Sequence, residues 1–254
     1  MNLLAFDTGT ERMSIAVCRT VDGQVLQWQH SASGGARAST NLIPAILDLM
    51  QQADVRLDAL DAICFGSGPG SFTGLRTACS VAQGLAFGAN VPVLAMDSLL
   101  AVAEEARHQA LGALPYGVVT ALLDARMDEM YGATFGFDGG QWSELASSAL
   151  VAPERLVRVA PASAVSPTSW VLAGNVFAVY GERVALHDPA GATALRITAL
   201  PTATAMLRLA PQLLAAGKAV SAEHALPSYI RDKVAKTTAE RMAEKAAAQT
   251  ATSH

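Results

Sequence analysis

The sequence predicts an α/β protein with two similar lobes, each a mixed β-sheet with flanking helices. Two observations lead to this fold class. A strand, a short acidic turn and a second strand occur around Asp7 and again around Asp124. A glycine-rich loop joins a predicted strand to a predicted helix in the first half of the chain. We expect a first lobe at 1–107, a second lobe at 108–217, and a C-terminal segment, 218–254, that packs back or is partly disordered.

The first lobe is predicted to begin with short β-rich runs that are separated by turn residues. These three antiparallel strands lie at 2–6, 13–18 and 25–28. A helix is predicted at 41–53, where apolar residues recur at helical spacing over a wide stripe. Its Pro44 would fall in the first turn, where backbone N–H groups lack partners, if Thr40 or Asn41 is the N-cap.

The glycine loop follows a predicted strand at 60–65 and precedes a helix whose small and apolar residues share one face. Gly84, in the middle of that helix, suggests the close approach of another helix. A strand at 91–96 and a helix capped by Ser98 complete the first lobe.

The second lobe repeats the opening pattern in a weaker form. Strands are predicted at 117–124, 131–137 and 170–174, and a helix at 202–216. The segment 236–248 contains good helix formers, but its apolar residues are almost all Ala, so we expect a frayed helix or a tail. The boundary between the lobes is expected in the stretch 107–115.

The composition excludes several classes of protein. The 254 residues are 51% hydrophobic and 16% charged, with a net charge of −4 and a mean hydropathy of +0.29. Such a chain is not disordered over most of its length, and its charge argues against a broad nucleic-acid footprint. The stretch 77–96 carries no charge and is long enough to cross a bilayer. However, Gly88, Asn90 and Pro92 predict the end of a helix and then a strand, so we expect no membrane span.

The beginning of the chain and its cysteines suggest a cytoplasmic protein. No basic region followed by an apolar stretch opens the sequence, so we expect no secretory signal. Cys18, Cys64 and Cys79 show neither metal-binding nor redox spacing. We expect three buried free thiols in a reducing compartment.

Two turns combine residues that suit a phosphate group. Backbone N–H groups, hydroxyls and a carboxylate can together hold a phosphate or its Mg²⁺, although Asp, Thr and Gly are also ordinary turn formers. The glycine loop lacks the Gly-Lys-Ser/Thr of a Walker loop and carries a Pro where a free N–H would help. It is equally consistent with a tight strand-to-helix turn. The candidate phosphate or nucleotide contacts are Asp7, Thr8, Gly9, Gly68, Gly70, Ser71 and Asp124.

No catalytic residue emerges from the motifs. Ser67 and Ser71 lack the flanking glycines of a hydrolase nucleophile elbow. The five histidines are scattered, with no pair at helical spacing, so no metal site is predicted. Asp124, Asp128 and Glu129 are interpreted as a solvated turn cluster. The mildly basic tail at 231–245 is not an RNA-binding patch.

Four segments resemble the TsaB (YeaZ) family. They are LLAFDT at 3–8, GSGPGSFTGLR at 66–76, LDARMDEMY at 123–131 and PSYIR at 227–231. The match covers most of the chain in the right order, and the GPGSFTGLR string is quite specific. The middle, 139–225, matches only loosely. Many family members carry a His just before the helix predicted at 41, where this chain has RAST at 37–40.

The resemblance implies the actin-like ATPase (ASKHA) fold and a role in making threonylcarbamoyladenosine beside the anticodon of tRNAs that read ANN codons. In that system a separate enzyme makes threonylcarbamoyl-adenylate, and TsaD, a metal-bearing paralogue with a His-x-x-x-His pair, transfers the group to tRNA. TsaB lacks this pair and dimerises with TsaD, and the ATPase TsaE docks on both. The expectation is a non-catalytic scaffold without a cofactor of its own. It would meet tRNA, and ATP or ADP, only at the level of the complex.

The wide-striped helix at 41–53 and the helix at 73–86 are expected to form the interface with the TsaD-type partner, or a homodimer when the chain is alone. The expected interface residues are Leu42, Ile43, Ile46, Leu47, Met50, Thr73, Leu75, Arg76 and Cys79. The alternative is a weak nucleotide hydrolase or small-molecule kinase on the same fold, which would use Asp7, Thr8 and Asp124. A third and weaker alternative is a protease.

Overall fold

The chain forms two five-stranded sheets with helices packed on them. The computed structural model describes residues 1–110, 116–157, 159, 170–185 and 195–231. The elements of the first half are β1 (Asn2–Asp7), β2 (Arg12–Val21), β3 (Gln24–Ser33), α1 (Ala36–Gln52), β4 (Ala62–Gly68), α2 (Phe72–Ala89), β5 (Val93–Asp97) and α3 (Ser98–Ala110). Those of the second half are β6 (Tyr116–Asp124), β7 (Met130–Asp138), β8 (Gln141–Val151), β9 (Trp170–Gly174), α4 (Phe177–Ala185), β10 (Leu195–Thr198) and α5 (Ala203–Ala215).

The two sheets have the same topology. The first has the strand order β3-β2-β1-β4-β5 and the second the order β8-β7-β6-β9-β10. In each, the first three strands are antiparallel, and the fourth and fifth continue from the first in parallel. β1 therefore corresponds to β6, and Asp7 and Asp124 stand at equivalent strand ends. The two-lobed α/β fold predicted from the repeated acidic turn is confirmed.

The last helix of each half packs beyond its own sheet. α5 contributes Met206 and Leu209 to the core cluster on β1, β2, β4 and β5. α3 contributes Leu99 and Val102 to the core cluster of the second sheet, mainly on β6 and β7. The expected boundary at 107–115 separates the sheets along the chain, but it does not separate two independent packing units. Residues 111–115 lie outside the described ranges.

Helix α1 begins five residues earlier than expected. Its N-cap is Gly35, not Thr40 or Asn41, so Pro44 lies in the helix interior. Proline removes one helical hydrogen bond, to the carbonyl of Thr40. Both residues are exposed, so water can satisfy that carbonyl, which explains why the helix continues through Pro44.

Three further expectations were wrong in detail. Asp97 rather than Ser98 caps α3, because its Oδ1 accepts from the N–H groups of Leu99 and Leu100 at 2.7 and 3.1 Å. Gly84 is exposed, and a Cβ added there would meet no described atom within 4 Å, so no helix in the described part of the chain approaches it. β8, α4 and β10 were not predicted.

Several other expectations concern the ends of elements, the thiols and the membrane. Asn90 ends α2 in a left-handed conformation with φ 56°, as the Gly-Ala-Asn sequence predicted. All three cysteines are free and buried, which confirms that expectation. No helix in the described part of the chain is long and apolar enough to span a membrane. The segment 236–248, expected as a frayed helix or tail, lies outside the described residues.

Candidate functional site

A cleft of about 590 Å³ opens between the two lobes, at the ends of β1 and β6. Its floor and walls come from the β1–β2 turn, the glycine loop, the β6–β7 turn and the segment Ser228–Arg231. We call this last segment the C-terminal strap. The candidate site residues that line the cleft are Gly9, Gly70, Ser71 and Asp124.

Asp7 lies behind the cleft and is fully buried. Its carboxylate accepts a hydrogen bond from the N–H of Gly9 at 2.7 Å and one from the hydroxyl of Ser98 at 3.0 Å. Burial raises the pKa of Asp7 to about 6, against the lowering effect of these two hydrogen bonds. A Cβ at Gly66 would lie 1.8 Å from Oδ2 of Asp7, so glycine is required there for the buried carboxylate to fit.

The candidate phosphate loops of the first lobe are bonded to each other. The hydroxyl of Thr8 donates to the carbonyl of Gly74 at 2.7 Å, and the N–H of Ser71 donates to the carbonyl of Gly9 at 2.7 Å. A Cβ would lie 2.7 Å from the Gly9 oxygen if added at Gly70, and 2.0 Å from the Thr8 oxygen if added at Gly74. Two glycines of the loop therefore permit close packing between the two turns.

Gly68 contacts the C-terminal strap instead of the cleft. Its φ is +123°, and a Cβ there would lie 2.5 Å from the carbonyl oxygen of Ser228. The N–H of Ser228 donates to the carbonyl of Ser67 at 2.7 Å. Of the seven candidate phosphate contacts, Asp7 and Thr8 are thus engaged inside the first lobe, Gly68 packs against the strap, and none of the three lines the cleft.

Asp124 occupies the strand end of the second lobe that corresponds to Asp7 in the first. Unlike Asp7, it lines the cleft. Its carboxylate accepts from the hydroxyl of Tyr180 at 3.1 Å and from the N–H of Arg126 at 2.8 Å. Its own N–H donates to Oδ1 of Asn175 at 2.9 Å. The amide nitrogen of Asn175 in turn donates to the carboxylate of Glu11 at 3.0 Å, which joins the two lobes across the cleft.

The β6–β7 turn has an uncommon backbone. Arg126, Met127 and Asp128 have φ values of 60°, 57° and 64°, three consecutive left-handed residues without a glycine. Each such residue costs roughly 1–2 kcal/mol, so neighbouring contacts must hold the turn. The expected carboxylate cluster is replaced by ion pairs: Asp128 pairs with Arg183, and Glu129 pairs with Arg231 at 2.5 Å.

The candidate interface residues divide into a buried and an exposed set. Leu42, Ile46, Met50, Leu75 and Cys79 are buried in the core cluster of the first lobe or at its edge. A partner cannot reach them without opening the core, so a charge at Leu42 or Ile46 would test folding and not binding. Ile43 and Leu47 are 43% and 48% exposed, and Thr73 and Arg76 are also exposed.

A stripe of small residues runs along the outer face of α2. It consists of Thr73, Thr77, Ser80, Gly84 and Gly88, at offsets of three and four along the helix. The exposed side chains of Arg76 and Phe87 lie beside this stripe. Within the described ranges, no atom lies within 4 Å of a Cβ added at Gly84 or Gly88. A glycine inside a helix costs about 0.5–1 kcal/mol relative to alanine, and no contact among the described residues accounts for these two.

Sequence reasoning missed the strap and the bridge across the cleft. Tyr229 and Arg231 lie in the PSYIR string, which indicated the family but no role for these residues. Glu11 belongs to no recognised motif. Asn175 was not among the candidate site residues. Among the described residues, no group of three or more His, Cys, Asp and Glu side chains is placed to hold a metal ion.

Comparisons with known proteins agree with this architecture. The family model described as "TsaD: tRNA N6-adenosine threonylcarbamoyltransferase" matches residues 29–239. The tRNA threonylcarbamoyladenosine biosynthesis protein TsaB of Escherichia coli is 34% identical over 92% of this chain and 96% of its own. That of Haemophilus influenzae is 32% identical over 92% of this chain and 95% of its own.

A solved structure supports the same assignment. YeaZ from Pseudomonas aeruginosa is 37% identical and superposes with a TM-score of 0.74, covering 90% of this chain and 99% of that one. The described elements, two mixed sheets of equal topology with flanking helices, fit the actin-like fold of such proteins. The chain therefore belongs to the TsaB (YeaZ) family, within the wider group that the TsaD family model covers.

Proposed function

We propose that this chain is a non-catalytic subunit of the complex that installs threonylcarbamoyl on the adenosine beside the anticodon of tRNAs reading ANN codons. It binds and supports a TsaD-type paralogue, and a TsaE-type ATPase docks on the pair. The chain meets tRNA, and ATP or ADP, through that complex. A role on tRNA implies a cytoplasmic location.

The observation that carries this proposal is the outer face of α2. Gly84 and Gly88 weaken the helix, and a Cβ added at either would meet no atom of the described residues within 4 Å. Small residues at offsets of three and four let the backbone of another helix approach closely. A partner helix seated on this face accounts for both glycines.

Helix α1 adds apolar area next to this face. α1 packs beside α2, and Ile43 and Leu47 remain about half exposed after the core is filled. Exposed apolar side chains that cluster beside a small-residue face are typical of a protein–protein interface. In the absence of the TsaD-type partner, we expect the same face to form a homodimer. Light scattering over a concentration range that detects only monomer would contradict that dimer.

The internal bonds of the first lobe support a non-catalytic role. Asp7 and the hydroxyl of Thr8 are the groups that would meet a phosphate or its metal ion in an enzyme on this fold. Here the carboxylate is buried against Gly9 and Ser98, and the hydroxyl is bonded to Gly74. Releasing them would require separating two packed turns.

The proposal is tested by mixing the purified chain with the TsaD homologue of its own organism, with and without ATP. Complex formation is measured by sedimentation, and threonylcarbamoyladenosine in tRNA is measured after adding the remaining components. We expect a complex, and tRNA modification that depends on this chain. If the chain acts alone, no complex with the TsaD homologue should form, and tRNA modification should not depend on this chain.

A second candidate is a weak nucleotide hydrolase or small-molecule kinase. The cleft favours it, because about 590 Å³ between two lobes is enough for a nucleotide. Steady ATP turnover by the isolated chain, lost in both Asp7→Ala and Asp124→Ala, would support this candidate. Absence of turnover at high protein concentration would eliminate it.

A further inference from the structure

The C-terminal strap touches the exposed N-terminal end of α2. The ring of Tyr229 lies 5.5 Å from that of Phe72, centroid to centroid. The guanidinium of Arg76 stacks on the ring of Phe72, 3.8 Å from its centroid. Its Nε also donates to the hydroxyl of Tyr229 at 3.0 Å. Arg76 is the only charged residue of α2, and it borders the small-residue face.

Two residues later, the same strap reaches the β6–β7 turn on the other side of the cleft. The guanidinium of Arg231 donates to the carboxylate of Glu129 at 2.5 Å and to the sulfur of Met127 at 3.1 Å. The Arg231 side chain is 13% exposed, so its position is well defined by packing. Ile230, between the two contacts, packs against the core of the second lobe.

The turn that Arg231 contacts depends on support from outside. Its three left-handed residues are unfavourable by themselves. Within the turn, the N–H of Ala125 donates to the carbonyl of Glu129, and the N–H of Glu129 donates to the carbonyl of Arg126. From outside, Arg231 holds one end of the turn and Arg183 holds Asp128. Loss of one support is therefore expected to loosen these backbone bonds.

We propose that the strap couples the outer face of α2 to the β6–β7 turn. A partner that engages Arg76 competes with Tyr229 for this guanidinium, loosens the strap at Tyr229, and thereby weakens the contacts of Arg231 with the turn. The cleft wall then relaxes when the partner binds. This inference rests on the proposed function, because it takes the partner to occupy the α2 face.

The coupling works in both directions. If the partner weakens the contacts of Arg231 with the turn, then Arg231→Gln, which removes these contacts beforehand, is expected to strengthen partner binding. The contact between Tyr229 and Arg76 is the step that transmits the effect, whereas Arg183 supports the turn without touching α2 or the strap. Variants of Tyr229 and Arg183 therefore distinguish the coupling from simple support of the turn.

The experiment measures amide hydrogen exchange at Ala125, Arg126 and Glu129, in the free chain and in the complex with the TsaD homologue. In the wild type, we expect the partner to accelerate exchange at these amides about fivefold or more, the lower end of usual coupling. In Tyr229→Phe, which keeps the ring contact but loses the hydroxyl, we expect the acceleration to fall below about twofold.

Two further variants complete the test. Arg231→Gln is expected to show fast exchange at the turn already in the free chain, with little further change on binding. Arg183→Gln, the matched control, is expected to exchange faster when free but to keep the full partner response. Unchanged exchange in a wild-type complex that does form would overturn the coupling and leave the proposed function intact. Equal acceleration in wild type and Tyr229→Phe would also overturn it. Failure of the complex to form at all would instead refute the proposed function, and the coupling with it.

Discussion

The hydroxyl of Thr8 donates a hydrogen bond to the carbonyl of Gly74 at 2.7 Å, and this bond fastens the β1–β2 turn to the first turn of α2. The pair connects two segments that the sequence suggested as separate phosphate loops. Because no Cβ fits at Gly74, the two backbones come close enough to exclude a ligand between them. The polar residues of these two turns thus serve packing within the first lobe.

Gly74 and Gly84 should respond in opposite ways to alanine. A Cβ at Gly74 would lie 2.0 Å from the Thr8 oxygen, so Gly74→Ala is expected to lower the free energy of unfolding by about 2 kcal/mol or more. Gly84 faces open space, so Gly84→Ala should raise it by about 0.5–1 kcal/mol through helix propensity. Urea unfolding of both variants measures the difference. Equal effects would contradict the packing described here.

The buried carboxylate of Asp7 predicts a specific pH dependence. Its folded pKa of about 6 exceeds the ordinary value of 3.8, so the folded chain holds this proton more tightly than the unfolded chain. The contribution of Asp7 to stability therefore falls as pH rises from 3.8 to about 6, and it stays unfavourable above that. Asp7→Asn is expected to be more stable than the wild type at pH 7.5, by on the order of 3 kcal/mol.

The pH profile of that difference is the decisive measurement. The stability advantage of Asp7→Asn should shrink towards pH 4, because the carboxyl of the folded wild type becomes protonated as pH falls below about 6. Asp48→Asn, at an exposed position of α1, serves as the control and should change stability by less than about 0.5 kcal/mol. An Asp7→Asn difference that stays constant between pH 4 and pH 7.5 would show that the carboxyl does not titrate in this range.

Glu104 holds three elements together, namely α3, α5 and β8. Its carboxylate accepts from Arg107 on α3 and Arg208 on α5, each at 2.8 Å, and from Trp142 on β8 at 3.1 Å. Burial raises the pKa of Glu104, but these hydrogen bonds outweigh it and the net shift is downward. Glu104→Gln leaves two guanidinium groups poorly paired and is expected to cost about 3 kcal/mol.

Thermal or urea unfolding of Glu104→Gln at pH 7 measures this loss. Because the folded pKa of Glu104 is lowered, the stability it provides is present above its ordinary pKa and is lost as pH falls through the folded value. The difference between variant and wild type should therefore narrow in acid. The exposed pair Arg56–Asp58 offers a control, since Arg56→Gln should have little effect.

Much of the fold could be predicted from local sequence, and the reasons are visible in particular residues. The repeated strand–acidic turn–strand pattern gave the two lobes, because Asp7 and Asp124 occupy equivalent strand ends. β8 was missed because it is an edge strand with bulges and mostly exposed or half-buried side chains, so its alternation is weak. α4 and β10 were missed because they are short, at nine and four residues.

The site was less accessible to sequence reasoning. The wide stripe of α1 correctly indicated more apolar area than the core needs. However, Leu42 is buried whereas its neighbour Ile43 is half exposed, because only one side of α1 packs on the sheet. The sequence of the helix alone does not indicate which side that is. Likewise, the strap brings Tyr229 to Arg76 across 153 positions, and no local pattern encodes that distance. Tertiary packing decides which glycines, carboxylates and leucines remain accessible to a ligand or a partner.

Exposed and buried positions of α1 should separate binding from folding. Ile43→Asp and Leu47→Asp place a charge on half-exposed positions, so each should change stability by about 0.5 kcal/mol or less while weakening the complex with the TsaD homologue. Leu42→Asp buries a charge in the core and should prevent stable folding. Circular dichroism and sedimentation together measure both properties. Binding that survives both exposed substitutions would remove α1 from the interface.

The central claim is that the outer face of α2 seats a partner helix, and one comparison tests it most directly. Gly84→Leu fills the open space on that face, while Gly181→Ala changes a glycine inside α4, where a Cβ would make only an ordinary contact with Arg196. Affinity for the TsaD homologue is measured by titration for both variants and the wild type. We predict binding by the wild type and Gly181→Ala, and at least about tenfold weaker binding by a folded Gly84→Leu. Equal affinity of all three proteins, or no binding by the wild type, would contradict the account.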